Sequence, residues 1–181
     1  MTAGGLAGER AAGERAGGAN SSGAMSCGME TAQFETNLDQ ATDEVFSTMV
    51  GVSCAPAPES PGAEAETISA VIGLAGALSG SLVLHSGAAA AIRIVERMTG
   101  IEPDGVDAMV RDAVGEVCNM IAGAWKGLDP ALASGCLLST PTVVAGTSYQ
   151  LFSQRAPIRI ERRYRFEELT LTISISCEPP E

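Results

Sequence analysis

The sequence predicts an α+β fold in which helices pack on one face of an antiparallel β-sheet. Near the end of the chain, apolar residues alternate with threonine and serine, so a strand there has one apolar and one polar face (Leu169, Leu171, Ile173 and Ile175 against Thr170, Thr172, Ser174 and Ser176). Elsewhere apolar residues recur at helical spacing, and such helices would cover the apolar face of the sheet. Two similar stretches, EVFSTMVG at 44–51 and EVCNMIAG at 116–123, indicate a pseudo-twofold internal repeat.

Length and composition predict one folded domain that follows a tail. The chain has 181 residues, of which 45% are hydrophobic, and this is enough for a sizeable core. Residues 1–33 are rich in glycine, alanine and serine, contain a tandem AGERA repeat and lack aromatic residues. We therefore expect a disordered tail over 1–33 and a single domain over 34–181.

The first half of the domain is predicted to contain two helices and a β-hairpin. In chain order these are a helix from a cap at Thr36 or Asn37 to Gly51, a connector at 53–66, strands at 68–74 and 81–85 joined by a turn at 78–80, and a helix capped by Ser86 and ended by Gly100. The signals are side-chain caps at helix starts, glycines at helix ends and alternating apolar residues in the strands.

The second half is predicted to contain one long helix and four strands. These are a helix from about Asp104 to Lys126 that ends at Gly127, strands at 136–139 and 142–150 on either side of Pro141, and a hairpin of strands 158–166 and 169–177 around Glu167-Glu168. Arg159, Arg163 and Arg165 share the polar face of the third strand, which favours a solvated surface, with a protein contact as the alternative.

Charge and residue usage exclude several classes of protein. The chain carries 11 basic and 22 acidic residues, and a net charge of −11 disfavours binding to nucleic acid or to anionic membranes. No apolar run is long enough to span a bilayer. Five cysteines without a C-x-x-C pair fit a reducing cytosol, so we expect a cytoplasmic protein. A single histidine, His85, excludes multi-histidine metal sites, and we interpret it as a structural or surface residue.

The long helix carries the candidate site. At about 100° per residue, five apolar residues form one arc, which predicts the buried face (Val110, Val114, Val117, Ile121 and Trp125). Asp112, Glu116, Asn119 and Gly123 fall on the opposite side. The small residues Gly115, Ala122 and Gly123 lie on or beside that face and would allow another molecule to approach closely. The alternative interpretation is an ordinary solvated helix face. Cys118, between the acid and the amide, is expected to fill space in the core.

These residues resemble a known signature. Asp112-x3-Glu116-x2-Asn119, followed after a spacer of 21 residues by Pro141, is similar to the pattern D/S-x3-E-x2-N-x22-P of the CheC/CheX/FliY phosphatases of bacterial chemotaxis, with a last spacer one residue shorter. The surrounding NMIAG and STPTVV sequences resemble those of CheX in particular. In the first helix Glu44 is followed by Ser47 and lacks the asparagine, so the resemblance implies one site, on the later helix.

The resemblance implies a phosphatase for the aspartyl phosphate of a CheY-like response-regulator receiver domain. It implies that Asn119 positions the attacking water and that Glu116 pairs with the receiver's active-site lysine. Asp112 either contacts the partner or decorates the same surface, and Gly115 and Gly123 are weaker candidates for partner contacts. This chain is expected to bind no cofactor, because the receiver would hold Mg²⁺. CheX-like proteins also form dimers, which makes a homodimer one expectation.

Two other functions are compatible with the sequence. The first is a non-catalytic adaptor that binds a receiver or resembles a flagellar-switch protein, since FliM-type proteins share the fold of the resembled family. The second, with less support, is an autonomous metal-dependent hydrolase. The paired Glu116 and Asn119 favour the phosphatase, because an adaptor has no evident need for an outward amide one turn from the acid.

Overall fold

A computed structural model of the protein describes Met1 and residues 21–58, 66–147, 149, 151 and 156–179. Within these residues the helices are α1 (Ser21–Val45, continued by a π-helical turn at Phe46–Val50), α2 (Ala88–Thr99), α3 (Ala108–Gly127) and α4 (Pro130–Gly135). The strands are β1 (Ala55–Pro56), β2 (Thr67–Gly76), β3 (Ser79–Gly87), β4 (Cys136–Leu138), β5 (Thr142–Gly146), β6 (Ile158–Phe166) and β7 (Leu169–Glu178).

The strands form one antiparallel sheet in the order β1-β6-β7-β3-β2-β4, and β5 pairs with β2 on the same edge as β4. The two long hairpins, β2–β3 and β6–β7, meet at the centre of the sheet through β3 and β7. Strand β1, which follows α1, pairs with β6 of the second hairpin. Strand β5, which precedes the second hairpin, pairs with β2 of the first hairpin. This symmetric arrangement confirms the predicted α+β fold and its pseudo-twofold repeat.

The core lies between the helices and one face of the sheet. Alternate residues of each long strand are buried there, among them Ile68 and Ile72 of β2 and Ile173 and Ile175 of β7. Burying one such side chain stabilises the fold by about 1.5–3 kcal/mol. Trp125 joins α3 to α1, because its indole Nε1 donates a hydrogen bond of 3.1 Å to the carbonyl of Phe34. The rings of Phe34 and Trp125 also pack edge to face, with centroids 5.4 Å apart.

Two predicted helix starts were wrong. Helix α1 begins at Ser21, so the predicted caps lie inside it: the Thr36 hydroxyl donates to the carbonyl of Ala32, and buried Asn37 accepts from Gln33. Residues 21–33 therefore belong to a helix, whereas residues 2–20 of the predicted tail lie outside the described residues. Helix α3 begins at Ala108 and not near Asp104, because the carboxylate of Asp107 caps it.

The predicted cap of α2 was also wrong. Gly87 precedes the helix and no side chain caps it, while the Ser86 hydroxyl is buried without a hydrogen-bond partner in the described part of the chain. Two short elements were not predicted, namely β1 and α4. Helix α4 has a recognisable start, since the Asp129 carboxylate accepts from the amides of Ala131 and Leu132. Among the described residues, no helix has the length and hydropathy needed to cross a bilayer.

Candidate functional site

Helix α3 is held firmly against the sheet. At its start, the Asp107 carboxylate accepts a hydrogen bond of 2.9 Å from the Val110 amide. The five residues predicted to form its apolar face are all fully buried (Val110, Val114, Val117, Ile121 and Trp125). The helix is therefore a fixed support for the side chains on its other face.

The acid and the amide of the signature lie on the outer face of α3. Asp112 and Glu116 are exposed, and Asn119 and Gly123 are half-buried. Within the described part of the chain, neither Glu116 nor Asn119 uses its side chain in a hydrogen bond or an ion pair. The two residues are separated by one helical turn, so their side chains can reach the same partner. Both polar groups are thus available to another molecule.

Gly115 has a different environment from the one expected. It is buried, and a methyl group in place of its hydrogen would lie 3.2 Å from Val143 Cγ2 and 3.5 Å from Pro141 Cβ and Cγ. The prediction that Gly115 leaves the helix surface open was therefore wrong, because β5 and the residue before it occupy that space. Ala122 is likewise fully buried. Gly123 does face open space, with no atom within 4 Å of the corresponding position.

The loop that carries Pro141 is fixed to the sheet. Ser139, between β4 and β5, donates its backbone amide to the carbonyl of Gly73 at 2.9 Å. Its hydroxyl accepts a hydrogen bond of 2.8 Å from the Gly73 amide and donates one of 2.9 Å to the carbonyl of Thr140. The proline of the signature thus reaches α3 from a loop with little freedom to move. Pro141 is distant from α3 in the sequence, but the fold of this loop brings it against Gly115.

The equivalent position in the first helix carries no such pair. Glu44 and Ser47 are exposed near the end of α1, and the Ser47 hydroxyl donates to the carbonyl of Glu44 at 3.1 Å. The helix then widens into the π-helical turn and ends at Gly51, whose φ of 75° is typical of glycine. Among these residues none offers an amide side chain beside the acid.

His85 lies on the sheet face that the helices do not cover. Its Nδ1 is 2.8 Å from the hydroxyl of Ser69, which is in turn 2.9 Å from the hydroxyl of Tyr149. These groups bond to each other on the side of the sheet opposite α3. They are therefore separate from the Glu116 and Asn119 surface.

Cys118 points into the core between the acid and the amide. It is fully buried and its thiol lies 3.5 Å from the carbonyl oxygen of Ala70 in β2. Burial raises the pKa of the thiol to about 12, so it stays protonated at neutral pH. In the described residues, no group of three or more His, Cys, Asp or Glu side chains has the arrangement of a metal site.

One residue near the site, Met109, was not singled out from the sequence. Met109 is 38% exposed, and helical geometry places it on the same face as Glu116, two turns earlier. The helical pattern could have revealed it, since residues seven apart share a face. Lys126 has a structural task instead: its Nζ donates to the carbonyls of Ala133 and Cys136, at 3.2 and 2.7 Å, and so ties α4 and β4 to α3.

Solved structures with the same fold come from chemotaxis proteins. The chemotaxis protein CheX from Vibrio vulnificus has 26% sequence identity and a TM-score of 0.70, with 82% of this chain and 98% of that chain covered. A CheX from Desulfovibrio desulfuricans has 26% identity and a TM-score of 0.68, with 80% and 99% covered. The CheX of a CheX-CheY-BeF3-Mg+2 complex from Borrelia burgdorferi has 18% identity and a TM-score of 0.66, with 80% and 97% covered.

The sequence itself matches a family. None of the curated proteins matches it. The model of the family described as chemotaxis phosphatase CheX, however, matches residues 68–161, which are more than half of the chain. This range contains the whole of α3 together with Pro141 and β5. The chain is therefore a member of the CheX family of chemotaxis phosphatases.

Proposed function

We propose that this protein removes the phosphoryl group from the aspartate of a CheY-like receiver domain. The observation that carries the proposal is the presentation of Glu116 and Asn119, exposed and half-buried respectively and one turn apart, on a rigid helix of a CheX-family chain. The complex of a CheX with CheY among the structures of the same fold supports a partner of this class.

The chemistry needs little from this chain. In hydrolysis, the oxygen of a water molecule attacks phosphorus while the bond between phosphorus and the aspartate oxygen breaks, which yields free carboxylate and inorganic phosphate. An acyl phosphate is already reactive, so most of the rate can come from holding the water in line. The amide of Asn119 can both donate to and accept from that water, and it brings no negative charge towards the phosphoryl oxygens.

Glu116 has a complementary role in binding. We expect its carboxylate to pair with the lysine of a receiver's active site, and this contact fixes the rotation of α3 on the partner. A carboxylate that pairs only when the complex forms strengthens binding and contributes less to the chemical step. Asp112, one turn earlier on the same face, is close enough to extend the contact.

The metal in this reaction belongs to the receiver. Mg²⁺ prefers carboxylate and phosphoryl oxygens, and in the complex it would neutralise charge on the phosphoryl group. Glu116 and Asn119 then have the tasks of anchoring the helix and orienting water.

A turnover assay tests the proposal. A receiver phosphorylated on aspartate with a small-molecule phosphodonor is mixed with wild-type protein, Asn119→Ala or Glu116→Ala, and phosphate release is followed. Wild type should accelerate hydrolysis. Asn119→Ala should lower kcat by at least about 100-fold, in line with the loss of a positioning contact. Glu161→Ala, on the uncovered face of the sheet, is the matched control and should behave as wild type.

The same assay separates catalysis from binding alone. If wild type binds the receiver but does not accelerate hydrolysis, the protein is an adaptor and the proposed phosphatase activity is wrong. Binding is measured with a receiver carrying beryllofluoride and Mg²⁺, a stable substitute for the phosphoryl group.

A further inference from the structure

We propose that Gly115 is a positioning residue, and that its contact with Val143 and Pro141 sets the place of Asn119 relative to the partner. The inference rests on the proposed function, which supplies the reaction that such positioning would affect. Gly115 precedes Glu116 directly and lies one turn from both Asp112 and Asn119. The polar groups of the signature therefore surround the point at which α3 contacts β5.

A larger residue fits the contact only if its neighbours move by a few tenths of an ångström. An added methyl group at Gly115 would lie 3.2 Å from Val143 Cγ2, which is closer than an ordinary contact between carbon atoms. Glycine inside a helix costs about 1 kcal/mol relative to alanine. A close approach between α3 and β5 is a physical reason for glycine at this position.

Neither side of the contact can move away easily. Val143 belongs to β5, which is hydrogen-bonded to β2 with Val143 opposite Ala70. Pro141 follows the loop that Ser139 ties to Gly73. On its other side α3 rests on fully buried Val114 and Cys118. An added methyl group would therefore displace α3, or force Val143 into another rotamer at a cost in energy.

The displacement of α3 would change the position of the Asn119 side chain. Because Asn119 lies on the β5 side of the outer face, one turn beyond Gly115, a shift at the contact moves its carboxamide together with the backbone. A water-positioning group is sensitive to such shifts, since a displacement of about 1 Å can cost roughly 100-fold in rate. Glu116 points further from the contact, so binding should suffer less than turnover.

Gly127 provides a matched control on the same helix. It is the last residue of α3, about three turns after Gly115, and open space surrounds the position of its missing methyl group. Gly127→Ala should keep wild-type turnover. Thermal unfolding of each variant shows whether it folds, and Gly127→Ala should unfold at a temperature no lower than wild type.

The experiment compares Gly115→Ala, Val143→Ala, the double variant and Gly127→Ala. Gly115→Ala should lower kcat by about tenfold or more with KM within about twofold of wild type. The double variant should recover most of the lost turnover, because Val143→Ala removes the methyl group that the new side chain meets. Val143→Ala alone loosens the contact while Pro141 remains in place, so it should lower kcat by less than Gly115→Ala does.

A second measurement does not depend on activity. The NMR signal of the Asn119 side-chain amide should shift in Gly115→Ala, return towards its wild-type position in the double variant and stay unchanged in Gly127→Ala. If wild type shows no turnover, the proposed function fails while this signal still decides the positioning contact. An unshifted signal in Gly115→Ala, or a double variant that recovers neither signal nor turnover, would overturn the inference.

Discussion

Arg162 of β6 forms an ion pair with Asp39 of α1 on the helix-covered side of the sheet. The Arg162 Nε donates a hydrogen bond of 3.1 Å to Asp39 Oδ1, and the hydroxyl of buried Tyr164 donates one of 2.8 Å to the same oxygen. The hydrogen bond between the Arg162 guanidinium and the Asp39 carboxylate raises the pKa of Arg162. In the sequence, Arg162 interrupts a set of alternating apolar residues, Ile158, Ile160, Tyr164 and Phe166. The structure shows that this charged residue is paired with Asp39.

Removal of Asp39 should therefore destabilise the fold. Asp39→Ala leaves the Tyr164 hydroxyl and the Arg162 guanidinium without their shared acceptor, and we expect a loss of about 2 kcal/mol in the free energy of unfolding. Asp39→Asn keeps an acceptor for Tyr164 and should cost about half as much. Urea unfolding measures both values. Equal stability of Asp39→Ala and wild type would show that the contacts of Asp39 with Arg162 and Tyr164 contribute nothing to the free energy of unfolding.

Ser86 offers the opposite case. Its hydroxyl is buried without a hydrogen-bond partner among the described residues, so Ser86→Ala should leave stability unchanged or raise it by up to about 1 kcal/mol. Ser69 is the matched comparison, because its buried hydroxyl contacts both His85 and Tyr149. Ser69→Ala should cost about 1 kcal/mol. Urea unfolding of the two variants tests the contrast, which a comparable loss in Ser86→Ala would contradict.

The features that could be predicted from the sequence are local ones. The buried arc of α3 was predictable, because it depends only on the 3.6-residue period and on which residues are apolar. The helix ends at Gly51 and Gly100 were predictable for the same kind of reason, and both glycines have positive φ in the structure. The starts of α1 and α3 were not, because Thr36, Asn37 and Asp104 are all able to cap a helix and only the folded chain selects among such residues.

In the candidate site, too, some features could be predicted from the sequence and others could not. Helical geometry alone places Glu116 and Asn119 on one outward face, and the structure agrees. The environment of Gly115 could not be inferred, because a helical wheel gives directions around α3 and says nothing of which strand lies in each direction. The partnership of Arg162 with Asp39 joins residues 123 positions apart in the sequence, beyond the reach of any local pattern.

Glu167 makes stability depend on pH. It accepts hydrogen bonds from Arg93 and Arg97 of α2 at the turn between β6 and β7, and these contacts lower its pKa from 4.5 to about 2. The pKa of Glu167 is lower in the folded than in the unfolded chain. The contribution of the ionised Glu167 carboxylate to stability is therefore complete above about pH 4.5 and is lost as the pH falls towards 2.

Glu167→Gln should consequently be less stable than wild type at pH 7, with a difference that shrinks below pH 4.5 and disappears near pH 2. Added salt should reduce this difference in stability at pH 7, since the side chains of Glu167, Arg93 and Arg97 are partly exposed to solvent. Thermal unfolding over a pH series measures both effects. Glu168→Gln, the other residue of the turn, is the control, and a constant difference across the series would contradict the assignment.

Cys118 should resist modification in the folded protein. Its buried thiol has a pKa raised to about 12, so the reactive thiolate is scarce at pH 8 and the sulfur is inaccessible. Iodoacetamide should label the peptide containing Cys118 quickly in denaturant and at least about 100-fold more slowly without it. Fast labelling under native conditions would instead indicate a redox-accessible thiol between Glu116 and Asn119.

The two residues of the signature should differ in the step that they affect. Asn119→Asp preserves shape but places a negative charge near the attacked phosphoryl group. Repulsion between charges about 4 Å apart amounts to roughly 1–4 kcal/mol, depending on solvent access, so kcat should fall by about tenfold to 1,000-fold. Glu116→Gln loses an ion pair in the complex, and its main effect should be a higher KM that depends less on salt than that of wild type. Steady-state kinetics with phosphorylated receiver at two ionic strengths measures these changes, and an Asn119→Asp enzyme as fast as wild type would exclude the water-positioning role.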